Sequence, residues 1–209
     1  MSRSMLRSMT RTLIAAALVT VPATAFAQSS AADLRTGLNQ LFQEHIYLAG
    51  AATGAALGGR NAEFTAAAGA LDANSMAIAR AIGSVYGTDA ESAFLPLWRR
   101  HIGFVVDYTT GLAAKDMPKQ QKAVNELLGY TNDLAAFLSS ANPNLPKMAV
   151  AELVKGHILS LKAAIDAQAA GDQEMAYMKL REAAGHMQMI GDPIAAAIAK
   201  QFPQKFAMR

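Results

Sequence analysis

Three of the chain's four histidines recur at a fixed interval. His45, His101 and His157 lie 56 residues apart, and each is followed by isoleucine and preceded at four residues by leucine. Imidazole is both a hydrogen-bonding group and a common ligand of copper and zinc. A polar residue that returns within the same apolar pattern predicts a threefold tandem repeat with one histidine at the equivalent place in each copy.

The elements that must position these histidines are helices. Apolar residues recur at steps of three and four around each histidine, which is typical of amphipathic helices, and the turn signals at 58–60, 114–116 and 170–172 keep the same interval. We predict an all-α fold in which six helices form three antiparallel hairpins. We favour a closed six-helix bundle over an open solenoid, because three long hairpins can close on one another.

The hairpin register predicts which polar residues lie level with the histidines. In an antiparallel hairpin, a residue about 14 positions before the turn lies level with one about 14 positions after it. The resulting pairs are His45 with Asn74, His101 with Tyr130, and His157 with His186. All six positions fall on or beside an apolar stripe, so we expect a polar layer across the middle of the bundle. Polar groups buried without partners cost a few kcal/mol each, and the layer must therefore be satisfied in some way.

Three interpretations of this layer stay open. The histidines can form a hydrogen-bonded network with Asn74 and Tyr130 that only fixes helix packing. They can instead bind copper or zinc, with all four histidines as candidate ligands and His157 and His186 as the first pair expected. A small-molecule or haem pocket with one axial histidine is the third. Met187 and Met189 beside His186 would favour Cu(I), although Met187 also fits the apolar period of a core residue.

No catalytic motif accompanies the histidines. Pairs such as His-x-x-x-His or Glu-x-x-His on one helix face are absent, as are a glycine-rich phosphate loop and a nucleophile elbow. The chain also has no cysteine, which excludes disulfides and thiolate metal sites. We therefore predict that the protein is not an enzyme.

The first 27 residues have the pattern of a cleaved secretory signal. Arg3, Arg7 and Arg11 precede an apolar stretch, and Ala25-Phe26-Ala27 closes the segment. Its removal leaves a single domain at 28–209 in which 16 of the 19 basic residues remain against 16 acidic ones. This balance argues against nucleic acid or an anionic membrane surface as a partner. We expect a periplasmic or secreted protein with no transmembrane segment after signal removal.

Several stretches carry a resemblance that covers nearly the whole mature chain. They are 41–45 (LFQEH), 70–75 (ALDANS), 82–87 (IGSVYG), 97–108 (LWRRHIGFVVDY) and 201–206 (QFPQKF). In these stretches the chain resembles uncharacterised secreted bacterial helical-repeat proteins, which in some Gram-positive members occur alongside a copper-amine-oxidase-type N-terminal domain. The resemblance implies an extracytoplasmic location and helical repeats. It implies neither amine oxidase activity nor copper binding for this chain.

Two functional hypotheses of different classes follow. The first is a periplasmic metal-binding protein for the sequestration or delivery of copper, with zinc as the other metal. The second is a ligand-free structural or interaction module with an envelope protein as partner, in which the buried histidines only fix packing. The small residues at 49–56 (AGAATGAA) allow close helix approach, which serves internal packing or a dimer seam equally well.

Overall fold

A computed structural model describes residues 30–206, and in this part of the chain every regular element is a helix. The six long helices are α1 (Ala31–Leu57), α2 (Asn61–Tyr86), α3 (Thr88–Ala114), α4 (Met117–Ala141), α5 (Lys147–Ala170) and α6 (Gln173–Gln201). A short α7 (Pro203–Phe206), which the sequence pattern does not predict, follows α6. The predicted signal segment at 1–27 lies outside the described residues.

Side-chain caps define the starts of three helices. Ser30, Asp116 and Asp172 precede α1, α4 and α6, and each side-chain oxygen accepts a hydrogen bond from the backbone N–H three residues further on. At α1 the arrangement is reciprocal, because the Asp33 carboxylate accepts a hydrogen bond from the Ser30 backbone N–H at 2.8 Å. Such caps satisfy N–H groups that have no partner within the helix.

The three hairpin turns use the same backbone conformation at the same interval. Gly59, Lys115 and Gly171 have φ angles of 68°, 55° and 77°, and each lies 56 residues from the next. Lys115 is the only non-glycine residue with positive φ in the described part of the chain. A lysine in the left-handed region is strained because its Cβ approaches the following carbonyl group.

The helices form a closed ring. Each helix packs against the next along the chain, and α6 returns to pack against α1. The Asp192 carboxylate on α6 joins the two ends, since it accepts hydrogen bonds at 2.7 Å from both Arg35 and Asn39 of α1. The prediction of an all-α six-helix bundle is therefore confirmed, and the ring is closed rather than open as in a solenoid. The number of repeats stays a prediction from the sequence spacing.

The interior of the ring is where the odd-numbered helices meet. Helices α1, α3 and α5 contact one another as well as their neighbours in the ring. Their shared core is aliphatic and aromatic, with Ile46, Trp98 and Leu161 each at most 5% exposed. None of the described helices has the length and apolar character needed to cross a membrane. The side chains of α1, α3 and α5 that face one another therefore lie in the apolar core.

The strained turn makes a prediction about stability. Lys115→Gly is expected to raise the free energy of unfolding by about 0.5–1 kcal/mol, because glycine adopts positive φ without the Cβ penalty. The matched reverse change, Gly171→Lys, should lower it by a similar amount. Urea denaturation of both variants at one pH measures the two values. A Lys115→Gly variant less stable than the wild type would contradict this account of the turn.

Candidate metal centre

Three histidines from three helices meet at the centre of the bundle. His45, His101 and His157 lie near the midpoints of α1, α3 and α5, and their exposed fractions are 1%, 2% and 4%. One ring nitrogen from each lies within 4.8 Å of one from each of the other two. The Nε2 atoms of His45 and His101 are 3.4 Å apart. Helices α1, α3 and α5 thus bring together three of the four histidines that were predicted as candidate ligands.

The spacing of these nitrogens is close to that of a coordinated metal ion. Zinc and copper bind imidazole nitrogen at about 2.0 Å, which separates two ligand nitrogens on one ion by about 3.3–3.5 Å. The distance between the Nε2 atoms of His45 and His101 already has this value. The three nitrogens all lie within 4.8 Å of one another, so side-chain shifts of roughly 1–1.5 Å bring them to the spacing of ligands on one ion.

The histidines are not held by a complete hydrogen-bond network. Neither ring nitrogen of His157 has a hydrogen-bond partner among the described residues, and the same is true of His45 Nδ1 and the Tyr130 hydroxyl. A buried polar group without a partner destabilises a fold by about 1–3 kcal/mol. The network interpretation needs partners for these atoms, and the surrounding helices of the described chain do not supply them.

Burial keeps the three imidazoles neutral. It lowers the pKa of His45 well below its ordinary value of 6.5, and the neighbouring His101 and His157 lower it further because two positive charges so close would repel. For the same reasons the pKa of His101 falls to about 3, an effect that the Trp98 carbonyl partly offsets. Burial and the neighbouring imidazole of His186 lower the pKa of His157 to about 4. A neutral imidazole offers a free lone pair, which is the form that binds a metal ion.

Aromatic rings surround the cluster. The centroid of the Trp98 ring lies 4.7 Å from that of His101 and 5.0 Å from that of His45. Tyr130 stacks on His101 with centroids 4.9 Å apart, so the predicted level pairing of these two residues is seen as a ring contact. Within the described chain no aspartate or glutamate joins the histidine group. The site is therefore three neutral nitrogens in an apolar and aromatic shell.

His186 and Asn74 lie beside the cluster and do not belong to it. The amide of Asn74 donates hydrogen bonds to the Leu41 carbonyl at 3.0 Å and to the Glu44 carboxylate at 2.7 Å. His186 Nε2 donates to the carbonyl of Leu153 at 2.9 Å. Both residues thus tie the second helix of a hairpin to a carbonyl 33 residues earlier in its first helix. Of the four candidate ligands, the structure separates His186 from the other three.

Gly156 on α5 provides the space in which the ring of His186 packs. A Cβ at this position would lie 2.8 Å from Cε1 and Nε2 of His186, so the ring of His186 occupies the space that a side chain would fill. The equivalent positions in the other two hairpins are Glu44 and Arg100. The glycine before His157 is therefore a sequence signal that His186 packs against α5 rather than pointing to the axis.

The two methionines near His186 have different environments. Met187 is 1% exposed and lines, with His101 and His157, a void of about 30 Å³ on one side of the cluster. Met189 is 57% exposed on the surface of α6. Only Met187 places a thioether side chain next to the histidines.

A larger cavity lies on the other side of the cluster, at a position that the sequence pattern did not predict. It has a volume of about 200 Å³, and His45 and His101 form part of its wall. Its lining also includes Asn61, Val106 and Thr110, all of which are solvent-exposed. The cavity therefore connects two of the three histidines with the outside.

The lowered pKa values predict a specific dependence of stability on pH. Between pH 7 and pH 5 the unfolded chain takes up protons on these histidines and the folded chain does not, so the free energy of unfolding falls by about 2 kcal/mol per histidine. As the pH falls, the loss of stability begins near pH 6.5, the ordinary pKa of histidine. It continues until the pH reaches the pKa of the folded protein, which is about 4 for His157 and about 3 for His101. In His157→Phe the fall should be smaller by about 2 kcal/mol. Urea denaturation of both metal-free proteins at pH 7 and pH 5 tests this, and equal falls would contradict it.

Known proteins offer no guide to this site. No protein-family model, no curated protein and no solved structure matches the chain. The resemblance to secreted bacterial helical-repeat proteins consequently stays a prediction, and function must be argued from the geometry of the histidine cluster.

Proposed function

We propose that this protein binds a metal ion, with copper favoured and zinc possible, through His45, His101 and His157. The single observation that carries the proposal is the convergence of three buried imidazole nitrogens from three helices within 4.8 Å of one another. Together with the predicted signal segment, this supports an exported periplasmic protein that sequesters or delivers the metal. His186 is not a ligand in this proposal, because its Nε2 donates to the Leu153 carbonyl.

Metal binding is favoured over a purely structural role by the unpaired nitrogens. A histidine retained only for packing would be expected to donate and accept hydrogen bonds within the core. His157 does neither with any described residue, although it is 4% exposed. Coordination to a metal uses one nitrogen of each imidazole in place of a hydrogen bond. The polar groups in the core would then have a function that an apolar side chain could not supply.

The charge of the site favours Cu(I) over Zn(II). All three ligands are neutral, and no carboxylate of the described chain belongs to the group to offset the charge of the ion. The desolvation cost of a buried ion grows with the square of its charge, so a monovalent ion is far less costly here than a divalent one. Copper also tolerates a thioether nearby, and Met187 lines the void next to His101 and His157.

Storage or transfer fits the site better than catalysis. The residues of the cluster include no aspartate or glutamate that could act as a general acid or base beside the ion. We therefore propose reversible binding of copper rather than turnover of a substrate.

Trp98 provides a direct readout of binding, because it is the only tryptophan in the chain and its ring contacts His101 and His45. Titration of untagged protein with Cu(I), Cu(II) and Zn(II) is expected to quench or shift its fluorescence at one equivalent, with Cu(I) bound most tightly in competition with a chromophoric chelator. His157→Phe should weaken Cu(I) binding by at least about 100-fold because one of three ligands is lost.

The matched control is His186→Asn. Asparagine stands at the equivalent position in the first hairpin, where Asn74 donates to the Leu41 carbonyl, so this variant should keep both the fold and the affinity for copper. Circular dichroism of each variant confirms that the helices are intact. Unchanged copper affinity in a folded His157→Phe protein, or loss of affinity in His186→Asn alone, would contradict the proposed ligand set.

Export has a separate test. Expression of the whole chain in a Gram-negative host is expected to yield a periplasmic protein whose N-terminal residue is Gln28, because Ala25-Phe26-Ala27 has the pattern of a signal-peptidase site. Cell fractionation followed by N-terminal sequencing measures both the location and the cleavage. Recovery only from the cytoplasm with residues 1–27 still attached would overturn the periplasmic assignment.

A further inference from the structure

The cavity of about 200 Å³ beside the histidine cluster is bounded by α1, α2, α3 and one residue of α5. At its inner end lie the imidazoles of His45 and His101, and at its outer end lie the exposed residues Asn61, Val106 and Thr110. Interiors of proteins normally contain few voids larger than a water molecule. A cavity of this size in a tightly packed helical bundle therefore needs an explanation in the sequence.

The cavity arises because one hairpin has small residues where the next has large ones. Ala49, Ala52 and Ala56 line it from α1. The residues 56 positions later are Val105, Tyr108 and Leu112. The three alanines thus remove the volume that α3 fills at the equivalent positions, and the rest of the bundle does not collapse to close the gap.

The glycines of the same stretch have a different use. A Cβ at Gly50 would lie 2.5 Å from Leu180 of α6, and one at Gly54 would lie 3.0 Å from Gln168 of α5. These glycines therefore allow close packing within the chain, whereas Ala49, Ala52 and Ala56 face the cavity. Internal packing accounts for the glycines at 50 and 54.

The chemistry of the walls restricts what the cavity can hold. None of its lining residues carries a charge at neutral pH. The hydroxyl of Thr53 donates to the Gln168 side chain at 2.7 Å, and that of Thr109 donates to the Val105 carbonyl at 2.8 Å, so both hydroxyl protons are already used. The rest of the wall is mostly methyl groups and the Phe64 ring, with the neutral imidazoles of His45 and His101 at the inner end and the polar side chains of Asn61 and Thr110 at the outer end. An ion would lose its hydration there without compensation, whereas an apolar molecule would gain from burial.

We propose that this cavity binds a small, uncharged, largely apolar molecule of about one aromatic ring. A dry protein cavity of about 150 Å³ is sufficient to bind benzene, so about 200 Å³ accommodates a ring with a small substituent. The site needs only the alanine-lined space, the apolar walls and the opening at Val106. It goes beyond the proposed metal binding and does not depend on it, because the walls are complete in the metal-free chain.

Toluene is the probe for the experiment, and metal-free protein kept in a chelator is the sample. Methyl-region NMR spectra are recorded during titration, with Ile102, Val105, Val106 and Leu161 as reporters, since all four line the cavity. We expect saturable shifts of these methyl groups that leave distant methyls such as those of Ile198 unchanged. Benzylammonium, which has the same ring and a positive charge, should cause no saturable shift at the same concentrations.

The matched variant is Ala49→Val/Ala56→Leu, which restores at two positions the residues of the second hairpin. It is expected to lose toluene binding by at least tenfold while it keeps the affinity of the wild type for Cu(I). Failure of the metal proposal would leave toluene binding intact, so the two ideas fail separately. Absence of saturable shifts in the wild type, shifts centred on other methyls, or equal binding by the folded double variant would each overturn the cavity proposal.

Discussion

The rest of the structure depends on the burial of three imidazoles at one level of an apolar core. Each comes from the middle of a different helix, and the three rings meet where α1, α3 and α5 pack against one another. Burial and mutual repulsion keep them neutral, as the lowered pKa values of His45, His101 and His157 indicate. Because they cannot satisfy one another by hydrogen bonds alone, the core is polar where an apolar layer would be more stable. That cost at the centre of the fold supports the proposal that the cluster binds a metal ion.

Residues at equivalent positions of the three hairpins make different contacts. Asn74 and His186 each tie a helix to a backbone carbonyl of its hairpin partner, whereas Tyr130 stacks on His101 and its hydroxyl has no described partner. The residue directly before each histidine also differs between the hairpins. Gly156 leaves room for the His186 ring, whereas Glu44 and Arg100 stand at the equivalent positions. The three histidines thus form a cluster whose surroundings differ from one hairpin to the next. The alanines of α1 are another such difference, and they leave the space of the large cavity on one side of the cluster.

Much of the fold could be predicted from the sequence because its signals are local. Apolar periodicity and the spacing of the turns are sufficient for the helices and their antiparallel pairing, and the hairpin register is sufficient to place Tyr130 level with His101. The convergence of His45, His101 and His157 on the axis was predicted only as part of a layer. Which helices face inward depends on how the ring closes, and contacts such as those of Asp192 with α1 are not visible in any single hairpin.

The separation of His186 from the other three histidines and the position of the cavity were not predicted, although each had a signal in the sequence. Gly156 stands where the other hairpins have Glu44 and Arg100, and Ala49 stands where the next hairpin has Val105. These two signals appear only when the volumes of the side chains at equivalent positions of the hairpins are compared. A comparison of polarity does not show them. The periodic pattern records whether a position is apolar, and it does not record whether the space beside that position is filled.

The central claim is that three imidazoles of the core coordinate one metal ion. X-ray absorption spectroscopy of the Cu(I)-loaded protein at one equivalent tests this most directly, because it counts the ligands and identifies imidazole by its multiple scattering. The account predicts three imidazole nitrogens at about 2.0 Å. Copper bound by one imidazole or none, with oxygen ligands from the surface in their place, would contradict it and would leave the histidines as parts of the core alone.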